Sequence, residues 1–260
     1  MVTVQDEYSD NRKESISMKP WKECPEEISY NTTYYCRVLQ AERQGQEEEI
    51  CGICKRFLKA CHSNAKLQEA FIFAMEAHRG QVRKGTSIPY PIHLIRTWGY
   101  VQLMSDDLCE QEAAILHDIL EDTEMTERRL CERFGERILE LVVGESECKR
   151  EERPAGETWQ IRKSETIERL HGRVGKEEER PAMHIAFGDK LANLYSMWYE
   201  YRLVGDRLFA KFNQKEKQMH AWYYGEMGKI FNEFFYQNNI ERKLVEDYRK
   251  YYREVFHCEI

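Results

Sequence analysis

The feature of the sequence that most restricts its fold is the segment AAILHDILEDT, residues 113–123. Its apolar residues, uninterrupted by Gly or Pro, predict a buried helix. Four ionisable residues nevertheless lie inside it: His117, Asp118, Glu121 and Asp122. Residues four apart share one face of a helix, which places Glu121 above His117 and Asp122 above Asp118. Buried charges are costly unless they are paired or bind a metal. The segment predicts a divalent-cation site beside an acid–base pair; the alternative is a structural His–Asp pair with two solvated carboxylates.

Charge and composition limit the classes of partner. With 260 residues, 42% of them hydrophobic, the chain can bury a sizeable core. The formal net charge of −7 argues against general binding to nucleic acid or to an anionic membrane. The net charge does not exclude an anionic small substrate, because a metal and nearby basic residues can make a pocket locally positive. Nothing in the sequence specifies an oligomeric state.

The cysteines and the N-terminus point to a cytoplasmic protein with reduced thiols. No apolar run approaches the roughly 20 residues that span a bilayer. The first 15 residues lack the apolar core of a signal peptide, so the nine cysteines are expected not to form a disulfide framework. The pair Cys51 and Cys54, followed by Cys61, allows a zinc or redox role. Small apolar residues on one short helix are the favoured interpretation, because no second Cys-x-x-Cys accompanies them.

Periodicity predicts an all-α protein. Helices are expected at about 66–78, 93–103, 113–123, 125–143, 159–171, 182–194, 205–238 and 240–256. No segment alternates Val or Ile with polar residues as a half-buried strand would. We therefore expect a single helical bundle at 63–238, an N-terminal extension at 1–62 packed on it, and a C-terminal helix at 239–260. The segments 80–91, 144–160 and 172–181 read as loops because they contain Gly, Pro or dense charge.

Ionisable residues on three of these helices could form one metal site. The ordered set is His93, His117, Asp118 and Asp189, and each lies within a largely apolar helix. Two imidazoles and two carboxylates suit Mn, Fe, Zn or Co without selecting firmly among them. Water bound to such a cation becomes a nucleophile near neutral pH, and the usual chemistry is hydrolysis, most often at phosphorus. Asn193, four residues after Asp189, is expected on the same helix face.

The sequence also resembles a known family. The motifs that carry the likeness are AHRGQVRKG (77–85), PYPIH (89–93), AAILHDILEDT (113–123), FG (134–135) and GDKLANL (188–194). The order of histidines and aspartates is similar to that of the HD-domain metal-dependent phosphohydrolases. The likeness is closer still to the hydrolase domain of the RelA/SpoT proteins and to the stand-alone small alarmone hydrolases, including the metazoan SpoT homologues. It spans roughly residues 66–235 and leaves out the first 60.

The resemblance implies an activity and a set of site residues. The implied reaction is hydrolysis of the 3′-pyrophosphate of (p)ppGpp, a nucleotide of the stringent response, to GDP or GTP and pyrophosphate. The implied ligands of one cation, usually Mn²⁺, are His93, His117, Asp118 and Asp189. The implied catalytic pair is Glu121 and Asp122. The implied contacts to the nucleotide are Arg83, Lys84 and Asn193; from the residues alone, the adjacent Arg83 and Lys84 read either as an anion or base clamp or as a surface charge pair.

Two departures from the family pattern bear on the substrate. The family commonly has Pro after the first metal histidine, where this chain has Leu94, and its loop between Lys84 and Tyr90 varies in length. Both leave the chemistry intact and leave the base preference open. The alternatives are another nucleotide, namely (p)ppApp or the 2′-phosphate of NADPH, or a role as an antitoxin or interaction module.

Overall fold

The computed structural model describes residues 56–57, 59–86, 88–147, 153–236 and 239–260. Within these ranges the chain is helical and has no β-strand; an isolated antiparallel bridge joins Val82 to Pro89. The predicted all-α class is confirmed. Cys51, Cys54 and most of the predicted extension at 1–62 lie outside the described residues, so the three-part division of the chain stays a prediction. None of the described helices is long and apolar enough to cross a bilayer.

The helices of the described ranges are numbered here in chain order after a short helical segment at 59–63. They are α1 (Ala65–Ala77), α2 (Pro91–Met104), α3 (Leu108–Leu116), α4 (Ile119–Asp122), α5 (Glu127–Phe134), α6 (Glu136–Val143), α7 (Ala155–His171), α8 (Arg180–Val204), α9 (Lys217–Phe235) and α10 (Asn239–Phe256). Two 3₁₀ helices, Glu177–Glu179 and Gly205–Lys211, come immediately before and after α8. The predicted helices are present, but their boundaries differ. α8 is longer than the predicted 182–194 and ends before Gly205, whose φ is +62°. The helix expected over 205–238 is instead the 3₁₀ helix Gly205–Lys211 followed by α9, which begins at Lys217. Three further changes are described below.

Local sequence signals account for several helix starts. The Asn64 side chain accepts hydrogen bonds from the backbone amides of Lys66 and Leu67 and so caps α1. Asp107 caps α3 in the same way. Pro91 occupies the first turn of α2, where its missing N–H leaves no hydrogen bond unmade. These caps fix where the helices that carry the ionisable residues begin.

The helix predicted over 113–123 is broken in the middle. α3 ends before His117 and α4 starts after Asp118. The His117 Nδ1 donates to the Ala114 carbonyl at 2.9 Å, and the backbone amides of Glu121 and Asp122 both donate to the carbonyl of Asp118. A side chain that bonds its own preceding turn competes with the helix ladder. The expectation of one continuous helix was wrong, and the break changes the direction in which the second pair projects.

Two other predicted boundaries differ. The helix expected over 125–143 is two helices, α5 and α6, separated by Gly135 with φ +86°. This left-handed backbone favours glycine, which lacks a Cβ. The segment 144–160 was expected to be a loop, but α7 begins at Ala155 within it.

Helix α8 runs through the core and carries the site residue Asp189. Its fully buried Phe187 packs against the buried rings of Phe231, Phe235 and Tyr248. Burying each such side chain contributes about 1.5–3 kcal/mol. Tyr223 and Tyr224 of α9 are also buried, and Phe234 is half-buried.

A glycine brings α8 close to α2. A Cβ on Gly188 would lie 2.9 Å from Val101 Cγ2 and 3.1 Å from the Thr97 carbonyl oxygen. Only glycine therefore permits this approach without a shift of one helix. The consequence is functional, because Asp189 follows directly on α8 and His93 lies on α2.

A buried ion cluster joins α3, α8 and α10. The His184 Nδ1 is 2.7 Å from Glu110 Oε2, and its Nε2 is 2.8 Å from Glu241 Oε1. A neutral imidazole has one N–H, so donating to both carboxylates requires the protonated ring. Burial opposes that charge, but the hydrogen bonds and attraction of Glu110 and Glu241 outweigh it and raise the pKa of His184.

We expect His184 to make stability depend on pH. Because its folded pKa is raised, its contribution is fully present below the unfolded value of about 6.5 and is lost as pH rises through the folded pKa. His184→Gln should cost about 3–5 kcal/mol of unfolding free energy at pH 6 and less at pH 9. Urea unfolding across that range measures it, with exposed His171→Gln as control. An equal cost at every pH would contradict the assignment.

Candidate active site

Four side chains from separate elements converge at the centre of the candidate site. His93 Nε2 lies 3.3 Å from Asp118 Oδ2 and 3.0 Å from Asp189 Oδ1. His117 Nε2 lies 3.0 Å and 3.5 Å from the same two oxygens. The two Nε2 atoms are 3.2 Å apart, and both rings are buried. The fold thus brings together the whole set that the sequence predicted, contributed by α2, by the α3–α4 break and by α8.

The donor set fits a divalent cation. The His117 Nδ1 donates to the Ala114 carbonyl, so Nε2 is the ring nitrogen that faces the cluster and that would bind a cation once it is deprotonated. Burial disfavours ionisation of Asp118, but His117 and His93 hold its pKa well below the ordinary value. For Asp189, burial is similarly outweighed by Lys190 and the two imidazoles, which lower its pKa. Two ionised carboxylates and two imidazole nitrogens form a mixed set that suits Mn, Fe, Zn or Co.

Tyr90 connects the cluster to the predicted catalytic pair. Its hydroxyl lies 2.6 Å from Asp118 Oδ2 and 2.7 Å from Asp122 Oδ2. Its ring stacks on His78, with centroids 4.7 Å apart. Burial and the two aspartates raise the pKa of Tyr90 well above its ordinary value, so it stays a hydrogen-bond donor. Tyr90 was not among the site residues predicted from the sequence.

Glu121 projects toward the turn at 144–147. The backbone amide of Glu147 donates to Glu121 Oε1 at 2.5 Å. Burial, together with the negative charges of Asp118 and Glu147, raises the pKa of Glu121 to about 7. A carboxyl with this pKa can accept and release a proton near neutral pH, which is the property that acid–base catalysis requires.

Three side chains of α7 anchor Glu147 itself. Lys163 Nζ lies 2.8 Å from Glu147 Oε1, and the Thr166 hydroxyl donates to the same oxygen at 3.0 Å. Arg162 Nη1 donates to the other oxygen at 3.1 Å. This group was not predicted from the sequence, because residues 144–160 were expected to form a charged loop.

Two of the three predicted nucleotide-binding residues border the cluster. Arg83 Nη2 donates to Asn193 Oδ1 at 2.5 Å, and Asn193 Nδ2 donates to Asp189 Oδ1 at 2.6 Å. The Arg83 guanidinium also lies over the Tyr90 ring, 5.4 Å from its centroid. Lys84 is exposed and donates to Asn213 Oδ1, so the fold does not bring it into this chain of hydrogen bonds.

An open cavity of about 530 Å³ lies beside the predicted catalytic pair. Gln81 forms part of its wall and donates to the Asp122 carbonyl at 2.6 Å. Arg129 on α5 contributes a cation, while Thr123 and Met125 supply the rest of one side. The volume falls within the range of small-molecule sites and admits a nucleotide-sized ligand.

Parts of the chain are similar to known proteins. A family model described as HD domain matches residues 70–174. A guanosine-3′,5′-bis(diphosphate) 3′-pyrophosphohydrolase of Aquifex aeolicus is 43% identical over 79 residues, which are 30% of this chain and 11% of that protein. The protein of the same name from Vibrio cholerae is 38% identical over 80 residues, which are 31% of this chain and 11% of that protein.

A solved structure is similar over a larger part of the chain. It is reported as "A metazoan ortholog of SpoT hydrolyzes ppGpp and plays a role in starvation responses". It superposes with a TM-score of 0.56 at 24% sequence identity and covers 72% of this chain and 96% of that one. The similarity establishes a shared fold. The present chain, in contrast, spans only about a tenth of the length of the two bacterial relatives.

Proposed function

We propose that this chain, of which residues 70–174 match the HD-domain family model, is a metal-dependent phosphohydrolase acting on (p)ppGpp. The reaction is removal of the 3′-pyrophosphate, which gives GDP or GTP and pyrophosphate. The observation that carries the proposal is the cluster of two imidazoles and two carboxylates with Glu121 beside it. Similarity to the (p)ppGpp hydrolases of two bacteria supports the choice of substrate.

The proposed metal ligands are His93, His117, Asp118 and Asp189. The resemblance favours Mn²⁺, and the nitrogen and oxygen donors are compatible with it. A divalent cation held there lowers the pKa of a coordinated water and offsets phosphate charge. Around it, the Ala114 carbonyl orients the His117 ring, and the Tyr90 hydroxyl orients Asp118.

Glu121 is the proposed general base. A bond forms between the water oxygen and the phosphorus attached to the 3′ oxygen, while the bond from that phosphorus to the 3′ oxygen breaks. Glu121 takes the proton released by the water, and the departing 3′ oxygen gains one. Asp122, held by Tyr90, is the second member of the proposed pair and lines the same cavity.

Arg83 and Asn193 are proposed to contact the nucleotide. The guanidinium plane of Arg83 can stack on a base, and its N–H groups can bind phosphate oxygens. Its hydrogen bond to Asn193 and its position over Tyr90 hold it near the metal ligands. Lys84 is retained as a third proposed contact, and binding would require it to exchange its hydrogen bond to Asn213 for one to the ligand.

A substrate panel tests the proposal. We would measure pyrophosphate and phosphate release from ppGpp, pppGpp, pppApp and NADPH with Mn²⁺ and with chelator. The expected result is pyrophosphate release from the guanosine compounds that chelation abolishes and added Mn²⁺ restores. Release from pppApp or NADPH alone would reject (p)ppGpp as the substrate while keeping the reaction class. No release from any compound, with the cation shown to bind, would favour an interaction module or antitoxin.

A further inference from the structure

The backbone amide of Glu147 contacts Glu121, and the side chain of Glu147 contacts helix α7. Its amide donates to Glu121 Oε1 at 2.5 Å. Its carboxylate is 8% exposed and accepts hydrogen bonds from Arg162, Lys163 and Thr166 on α7. One residue therefore joins the proposed general base to a helix that contributes no proposed metal ligand.

We propose that Glu147 is a positioning residue for Glu121, an inference that rests on the proposed function. The carboxylate of Glu147 anchors the turn at 144–147 to α7, and the anchored turn aims the amide at one oxygen of Glu121. With that oxygen fixed, the other is directed toward the proton that it must accept.

The break between α3 and α4 explains why Glu121 needs such a contact. α4 is a single turn of four residues, Ile119–Asp122, so Glu121 lies one residue from its C-terminal end. A short helical turn constrains its side chains weakly, since helices this short are not stable by themselves. A misplacement of about 1 Å can cost a catalytic group about 10²-fold in rate. The amide of Glu147 supplies a fixed donor that the helix itself does not provide.

Glu147 affects Glu121 in two ways that can be distinguished, through the charge of its carboxylate and through the position of its amide. Asp118 and Glu147 add negative charge beside Glu121, and Lys190 on α8 opposes them. Removing the Glu147 charge removes one cause that raises the pKa of Glu121. Releasing the amide has the opposite effect, because the amide stabilises the ionised carboxylate. Glutamine at 147 removes mainly the charge, whereas alanine also removes the anchor, so the two variants report different contributions.

The first test compares variants of Glu147 in the full chain. Glu147→Ala should lower kcat for the substrate identified by the panel by about 10- to 100-fold with KM unchanged. Glu147→Gln should recover part of the loss, because its side-chain oxygen can still accept from Thr166 and Lys163. The control is Glu145→Ala in the same turn, which removes a buried ion pair to Arg173 but keeps the three Glu147 side-chain contacts and the hydrogen bonds from Arg169 to the carbonyls of Glu145 and Ser146. We expect kcat of that control to stay near the wild-type value.

A double mutant asks whether Glu147 acts through Glu121. If it does, Glu147→Ala should lower activity no further on a Glu121→Gln background. Equal losses of kcat in the Glu147→Ala and Glu145→Ala variants would overturn the proposal. A loss from Glu147→Ala that persists in full on the Glu121→Gln background would do the same.

A spectroscopic test is independent of turnover. In ¹H–¹⁵N spectra the Glu147 amide proton should lie downfield, as donors to carboxylates do, and move upfield in Glu121→Ala, which removes the acceptor. The Glu145 amide, which donates to the Val142 carbonyl, should not move. An unmoved Glu147 resonance would overturn the proposed contact. If the wild-type chain hydrolyses nothing in the panel, the proposed function fails, and this resonance alone decides whether Glu147 fixes Glu121.

Discussion

Replacing Glu121 with glutamine is expected to lower kcat by about 10²- to 10⁴-fold while the cation still binds. Glutamine keeps the size of the side chain and an oxygen for the Glu147 amide, but it cannot accept the proton of the attacking water. No proposed metal ligand is altered, so cation affinity should remain near the wild-type value. This combination separates a proton-transfer role from a metal-binding one.

The pH profile sharpens this test. The wild-type rate should rise with pH as Glu121 loses its proton, because a general base acts in its ionised form. Asp118 helps to raise the pKa of Glu121 to about 7, and a cation offsets that charge, so the rising limb should lie below about 7. The Gln variant should lack this limb, and the exposed Glu127→Gln should keep it. Near-native turnover in Glu121→Gln would remove Glu121 from the mechanism.

The four residues proposed to bind the cation could be grouped from the sequence, because each is an ionisable side chain within an apolar helix. A histidine or an aspartate inside an apolar helix must be paired or must bind something, and that requirement is visible without a fold. His93, His117, Asp118 and Asp189 each satisfied it. The sequence pattern does not show how these residues meet. In the fold, α8 approaches α2 closely at Gly188, and this brings Asp189 within 3.0 Å of His93.

Glu147, Arg162 and Lys163 were not predictable in the same way. Charged residues in a charged stretch are usually solvated, and nothing local distinguishes a buried glutamate from an exposed one. Their pairing depends on where α7 packs, which is a tertiary property. Tyr90 was missed for a related reason, since an aromatic residue in a loop with two prolines gives no sign that its hydroxyl reaches two aspartates.

The broken helix shows how a local side-chain interaction changes the direction of a site. Periodicity placed Glu121 and Asp122 directly above His117 and Asp118, as a continuous helix would. The hydrogen bond of the His117 ring to the preceding turn and the break before α4 instead direct Glu121 toward the 144–147 turn. Hydrophobic periodicity cannot register such a break, because the apolar residues continue on both sides of it.

Replacing Asp118 with alanine is expected to abolish both cation binding and turnover. The variant loses a carboxylate that lies 3.0 Å from His117 Nε2 and 3.3 Å from His93 Nε2. It also leaves the Tyr90 hydroxyl without one of its two acceptors. Because the cation is proposed to supply the nucleophile, its loss cannot be compensated by an intact Glu121. The expected decrease in kcat/KM therefore equals or exceeds that of Glu121→Gln.

Thermal unfolding with and without Mn²⁺ distinguishes this variant from Glu121→Gln. A ligand at 100 times its Kd stabilises the folded state by about 2.7 kcal/mol, which for a domain of this size raises Tm on the order of 5–10 °C. Wild type, Glu121→Gln and the exposed control Asp106→Ala should show this shift, and Asp118→Ala should not. A full shift in Asp118→Ala would place the cation elsewhere. A shift lost from both Asp118→Ala and Glu121→Gln would instead make Glu121 part of the metal site, because a pure proton acceptor has no effect on cation affinity of that size.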